Sequence, residues 1–300
     1  MASIQAKIAK RMIKLQRYRW AQGTVERQRS RQERSARWFR VPKDISITTL
    51  DIEGISAAWF SCTEPKDGVV LYLHGGAYAL GSINTHREFL GRFATAARRK
   101  VLAINYRLAP EHPFPAALED STAFYQWLLS EGLDSTSLVI AGDSAGGGLA
   151  LATALALRDA GESLPACMVC LSPWVDLTLS SPTRQASASA DPLLNRDVLA
   201  RYAALYAGEH EKDDRLISPL FADLAGLPPT LIHVGTDEIL LDDTIRLAGK
   251  AQQAGVEVQL IPWEGMFHVF QMMPFLPESS ESFEEIAAFI SSHIGSNSRL

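Results

Sequence analysis

Leu138-Val139-Ile140-Ala141-Gly142-Asp143-Ser144-Ala145-Gly146-Gly147-Gly148-Leu149-Ala150 runs from a short apolar stretch, through a turn of small residues, into a helix-forming stretch. The first four residues read as a buried strand, and the helical pattern that opens at Ala145 continues to Asp159. A tight strand-to-helix turn of the form G-x-S-x-G throws its serine out at the carboxyl edge of a sheet, and the small neighbours let helix and strand approach closely. Ser144 also stands at the helix N-terminus, where the aligned peptide dipoles favour negative charge developing nearby. The bare pattern describes many glycine-rich turns; the strand before it and the helix after it are what mark Ser144 as a nucleophile.

The same alternation extends outward in both directions. Apolar runs at 69–74, 101–105, 167–171, 231–234 and 256–261 are separated, for the most part, by helix-patterned stretches at 87–98, 116–130 and 242–254. Residues 45–50 and 57–62, split by Glu53-Gly54, read as an antiparallel opening pair, and 284–294 as a closing helix. The pattern predicts a mostly parallel central sheet of about eight strands covered by helices on both faces. One stretch breaks it: from 176 to 225 there is no strand pattern, only a Ser/Ala-rich loop and a helix over 195–206. That is too long for a connection and reads as an insertion over the active-site end of the sheet. The expected division is therefore 1–44 as an N-terminal helical part of a cap, 45–175 with 226–300 as the α/β body, and 176–225 as the cap insertion.

A chain of 300 residues with 47% hydrophobic and 21% charged residues has the composition of a soluble globular protein. No apolar run reaches the roughly 20 residues of a membrane span, and no apolar signal-peptide core follows Met1, so a cytoplasmic location is expected. Three cysteines, Cys62, Cys167 and Cys170, do not suggest a disulfide framework. Cys167 and Cys170 form a CxxC, but within a strand residues three apart point to opposite faces and cannot share a metal; no metal or cofactor is expected. The net charge of −5 conceals twelve Lys/Arg against Glu26 and Glu33 in residues 1–40. Ile4, Ile8, Met12 and Leu15 recur there at helical spacing, which predicts an amphipathic helix packed on the body rather than a nucleic-acid arm or a membrane-surface anchor.

Two further segments carry chemistry. His74-Gly75-Gly76-Ala77-Tyr78 follows the strand at 69–73, and glycines after a strand end let Gly75 and Gly76 turn backbone amides toward a developing oxyanion. Downstream, Tyr106-Arg107-Leu108-Ala109-Pro110-Glu111-His112-Pro113-Phe114-Pro115-Ala116-Ala117 precedes the serine turn. With Gly142-Asp143-Ser144-Ala145-Gly146-Gly147, these segments resemble, in order, the hormone-sensitive-lipase family of esterases, the bacterial family IV type of the α/β-hydrolase fold. The similarity covers about residues 60–290. The resemblance implies a carboxylic-ester hydrolase acting without cofactor, with Gly76, Ala77 and Ala145 as oxyanion donors. Ala77 stands where the family usually has a third glycine; a positive φ there would cost on the order of 1 kcal/mol or more.

The triad order Ser, Asp/Glu, His places the base after Ser144. His210 falls in a charged run, His233 within a strand and His293 in the last helix. His268, in a loop beyond the last strand, remains, and it matches the family's histidine. Asp237, the first carboxylate after the strand at 230–235, matches the family's triad aspartate and is preferred to the adjacent Glu238. Asp143 reads as a hydrogen-bonding support rather than a catalyst.

Trp38, Phe39, Trp174, Leu193, Leu194, Tyr202 and Tyr206 are candidates for an apolar pocket, or equally for the core of the cap. A compact cap suggests esters with short to medium acyl chains. Two other readings stand beside this one. The segments at 235–243 and 265–271 also look like those of monoterpene lactone hydrolases, and the gibberellin receptors bind small molecules on this fold without a catalytic histidine. The expected partner is a small-molecule ester, with a homodimer allowed and neither nucleic acid nor stable membrane insertion expected.

Overall fold

The computed structural model describes residues 2–15, 20–181 and 191–294. Val69–Leu73 is apolar at every position and buried at every position, as a strand covered on both faces must be. It is β3 of an eight-stranded sheet that also contains β1 (Ser46–Ile52), β2 (Ile55–Ser61), β4 (Lys100–Ile104), β5 (Leu138–Asp143), β6 (Cys167–Leu171), β7 (Thr230–Gly235) and β8 (Val258–Trp263). The spatial order is β1-β2-β4-β3-β5-β6-β7-β8. β1 pairs with β2 and β2 with β4 antiparallel, and the remaining pairs are parallel. This is the expected α/β-hydrolase architecture.

The pleat divides the core. Leu71, Ile140 and Cys170 face one apolar cluster, shared with α4 (Ala116–Ser130) and α5 (Ala145–Asp159). Val70, Tyr72, Val139 and Cys167 face the other, with α3 (Ile83–Ala97) and the last helix, α8 (Pro277–His293). The two thiols of the CxxC therefore lie on opposite faces, both free and buried. The last helix begins at Pro277, seven residues before the pattern at 284 suggested. Pro277 fits the first turn because its missing N–H has no partner to lose there. The polar Ser279 and Ser282, both buried, disguise the inward face.

Between β6 and β7, α6 spans Arg196–Ala207, capped by Asn195, whose side chain accepts from Val198 N. The Ser/Ala-rich loop at 182–190 lies outside the described residues. At the start of the chain α1 (Ile4–Leu15) packs on the segment after β8 and the start of α8, and α2 (Val25–Ala36) packs on α3 and α6. Trp20 Nε1 donates to Leu193 O at 3.1 Å, its ring stacks on Tyr202, and Tyr202 bonds the buried Gln28. α1 is helical as expected, but the seam it buries is Ala6 and Ala9; Ile4, Ile8, Met12 and Leu15 face outward. Among the described residues no helix is long and apolar enough to cross a membrane. A last helix on the sheet, α7 (Leu241–Gln253), follows β7.

Candidate active site

β5 delivers Ser144 to the carboxyl edge of the sheet through a backbone that only a forced turn would tolerate: φ is 54° and ψ −120°. The turn is held from both sides. Ser144 N donates to Leu171 O on β6 at 2.8 Å, and Ser144 O accepts from Gly148 N and Trp174 N at 3.1 and 2.9 Å. Gly146 has no room for a side chain, because a Cβ would collide with the backbone oxygens of Leu73 and His74. Close contact between α5 and the end of β3 thus brings the serine beside the segment that follows His74.

His268 stands in the loop after β8 and is buried. Its Nε2 lies 2.9 Å from Ser144 Oγ, within hydrogen-bond reach of the proton it would take. On the far side of the ring Nδ1 faces Glu238 Oε1 at 3.5 Å, and among the described residues neither atom has another hydrogen-bond partner. The other Glu238 oxygen accepts from Ser172 Oγ at 2.8 Å and from Gly235 N at 3.1 Å, which fixes the carboxylate.

The structure does not bring the Asp237 carboxylate to His268. Its backbone N bonds Met266 O, but its side chain turns outward to form an ion pair with Lys10 of α1. Adjacent residues in the turn after β7 point opposite ways. The longer glutamate, one residue further on, is the one that faces the imidazole.

Asp191, which sequence reading passed over, supports the same turn from the cap side. Its Oδ1 accepts from Leu193 N and Leu194 N at 2.7 and 2.8 Å, and its Oδ2 from Ile239 N at 2.9 Å. Burial pushes the Asp191 carboxyl up, and His268 with the three amides pulls it back in part. His268 itself is pulled two ways. Burial lowers its pKa, but Glu238 at the ring, with the charges of Asp191 and Asp143, outweighs burial and holds it above its ordinary value.

The oxyanion side is built on Asp143. A buried Oδ1 accepts from Tyr72 Oη at 2.8 Å and Gly75 N at 3.0 Å, with His86 Nε2 3.4 Å away. Burial pushes Asp143 up, but His86 and these hydrogen bonds hold it below the usual carboxylate range. The same pairing lifts His86 against its own burial. Asp143 thus supports the loop, and Gly75 spends its amide on that support instead of offering it to a ligand. Among the described residues no acceptor takes the amides of Gly76, Ala77 or Ala145. Gly76 and Ala77 line the same cavity as Ser144 and His268. Ala77 has φ 54°, so the left-handed conformation that glycine usually supplies is borne here by alanine.

The cavity is about 780 Å³, the size of a small-molecule site. Of the residues offered for pocket or cap core, Phe39, Trp174, Leu193, Leu194 and Tyr202 line it. Trp38 does not; it is 86% exposed. Tyr206 is instead stacked on Tyr78 with ring centroids 3.6 Å apart. His233 is a core residue bonded to Ser282, its pKa lowered by burial to about 3. No described group of three His, Cys, Asp or Glu side chains is placed to hold a metal ion. Chemically, the arrangement can deprotonate a serine hydroxyl, stabilise the resulting imidazolium, and offer free amides to an oxyanion in an apolar chamber.

Comparison with known proteins agrees with that chemistry. Residues 70–272 match the model of the alpha/beta hydrolase fold family. The chain is 39% identical over 299 residues to an acetyl-hydrolase of Streptomyces hygroscopicus, covering 98% of this chain and 99% of that one. It is 37% identical over 258 residues to an esterase of Acinetobacter venetianus, covering 85% of each. The crystal structure of an esterase from the bacterial hormone-sensitive lipase family superimposes with a TM-score of 0.93 at 41% identity, over 98% of this chain and 100% of the other.

Proposed function

Because this chain belongs to the α/β-hydrolase fold family, in its hormone-sensitive-lipase branch, and hydrolyses carboxylic esters, we propose that Ser144, His268 and Glu238 are its catalytic triad. The observation that carries this reading is the line from Ser144 Oγ through His268, at 2.9 Å on one side of the ring and 3.5 Å on the other, to a fixed and buried Glu238. Ser144 Oγ attacks the ester carbonyl carbon while its proton passes to His268 Nε2. Glu238 holds the Nδ1–H tautomer and stabilises the imidazolium. The amides of Gly76, Ala77 and Ala145 take the oxyanion. The tetrahedral intermediate collapses, the alcohol leaves with the proton from Nε2, and a water deprotonated by the same nitrogen cleaves the acyl-enzyme.

The described parts of 1–44 and 176–225 cap Ser144, and the apolar side chains they turn into the chamber, Phe39, Leu193, Leu194 and Tyr202 among them, set the substrate. A chamber of about 780 Å³ suits short to medium acyl esters. Ser144→Ala should abolish turnover of p-nitrophenyl esters while leaving the thermal transition unchanged, and a serine-reactive organophosphate should label the wild type once, at Ser144. Substantial turnover by the alanine variant, or labelling elsewhere, would refute the assignment.

A further inference from the structure

Helix α1 has three distinct faces. Ala6 and Ala9 are buried against a small apolar cluster formed by Met266, Phe267, Phe270 and Leu276. On the far side Ile4, Ile8, Met12 and Leu15 line up at i, i+4, i+8 and i+11 and are 73%, 59%, 54% and 74% exposed. Along one edge of that stripe run the exposed Lys7, Arg11 and Lys14. The rotation of the helix is fixed from the body. Ser3 N and Oγ donate to Glu278 at 2.6 and 3.0 Å, and Lys10 pairs with Asp237, so the apolar stripe cannot turn inward.

Among the described residues nothing covers this stripe. Six of the ten large hydrophobic side chains exposed among the described residues lie within the first 40 positions, Trp38 and Phe39 being the other two. Ile13, on the body-facing side of α1, and Phe39, after α2, line the cavity that holds Ser144, so the helix that carries the stripe also borders the site. The same 40 residues carry twelve Lys/Arg against two Glu, a charge of +10, leaving −15 for the rest of the chain.

We propose that this N-terminal face docks the enzyme on an anionic lipid surface, with α1 lying in the plane of the interface and its apolar stripe buried among the acyl chains. An apolar stripe with a basic edge is what such an interface selects, combining burial of hydrocarbon with attraction to acidic headgroups. A second copy joined through the same face would bring two strongly cationic surfaces together. The face is separate from the catalytic groups, so docking is measured without turnover and stands or falls independently of the triad.

The test is sedimentation of the full chain with phosphatidylcholine vesicles made with and without phosphatidylglycerol. The wild type should bind the anionic vesicles, lose binding as salt rises, and leave the neutral vesicles largely unoccupied. Ile8→Asp/Met12→Asp should weaken binding by about tenfold or more, since each change removes a buried apolar side chain. Lys7→Glu/Arg11→Glu should weaken it through charge alone. Both variants should hydrolyse soluble p-nitrophenyl acetate at the wild-type rate, which reports that they are folded. Failure of the wild type to bind anionic vesicles, or undiminished binding by both variants, would overturn the proposal. So would a wild-type dimer that Ile8→Asp/Met12→Asp converts to monomer, which would assign the face to a second copy of the chain.

Discussion

Glu238 Oε1 faces His268 Nδ1 at 3.5 Å, and neither of these buried atoms has another hydrogen-bond partner among the described residues. A buried polar atom left unpaired costs about 1–3 kcal/mol, so two that face each other are best understood as partners. Such contacts are often long in an unliganded site and tighten when the histidine gains its proton. Glu238 is anchored through its second oxygen by Ser172 and Gly235, so the atom offered to the histidine is held ready.

The charges around His268 set the pH dependence. Glu238, Asp191 and Asp143 outweigh burial and raise its pKa. The base works only when neutral, so activity should be lost as pH falls through that raised value. The acid limb of kcat/KM should therefore lie above the ordinary histidine value of about 6.5, and a limb below 6 would contradict the geometry.

Asp191 should act through position and charge without touching substrate. Asp191→Asn leaves one of three amide donors facing an NH₂ group and should cost about 1–3 kcal/mol of stability, read by calorimetry. A purely structural role would stop there. Loss of the negative charge should also move the acid limb of kcat/KM to lower pH, and an unmoved limb would confine Asp191 to the fold.

Two small-residue positions should respond in opposite directions. Ala77→Gly relieves a left-handed alanine and should raise stability by up to about 1 kcal/mol with kcat retained. Gly146→Ala drives a methyl group into the backbone oxygens of Leu73 and His74 and should destabilise by about 3 kcal/mol or more. Thermal melts of the two variants check both signs.

What was legible in the sequence follows from how local each signal was. The β5–α5 turn could be read because a strand, a serine among small residues and a helix stand next to one another in the chain. His268 followed from chain order, since the other histidines beyond Ser144 sit in a charged run, a strand or a helix. The orienting carboxylate was not legible in this way. Asp237 and Glu238 differ by one position, and only the direction of the turn after β7 sends one to Lys10 and the other to His268. Periodicity likewise identified α1 as a helix but not which face it buries. Alanines make a closer seam than isoleucines, and the Ser3 and Lys10 contacts fix the rotation. Asp191 bonds two neighbouring amides, but its contact with Ile239 N reaches 48 residues along the chain and has no sequence signature.

The assignment of Glu238 is tested most directly by kcat/KM for a p-nitrophenyl ester in Glu238→Gln and Asp237→Asn, measured side by side. Glu238→Gln should lose about 10²–10⁴-fold, as expected when the histidine loses the carboxylate that fixes its tautomer. Asp237→Asn, which breaks only a partly exposed ion pair with Lys10, should stay within about threefold of the wild type. A severe loss in Asp237→Asn with Glu238→Gln near wild type would contradict the triad proposed here.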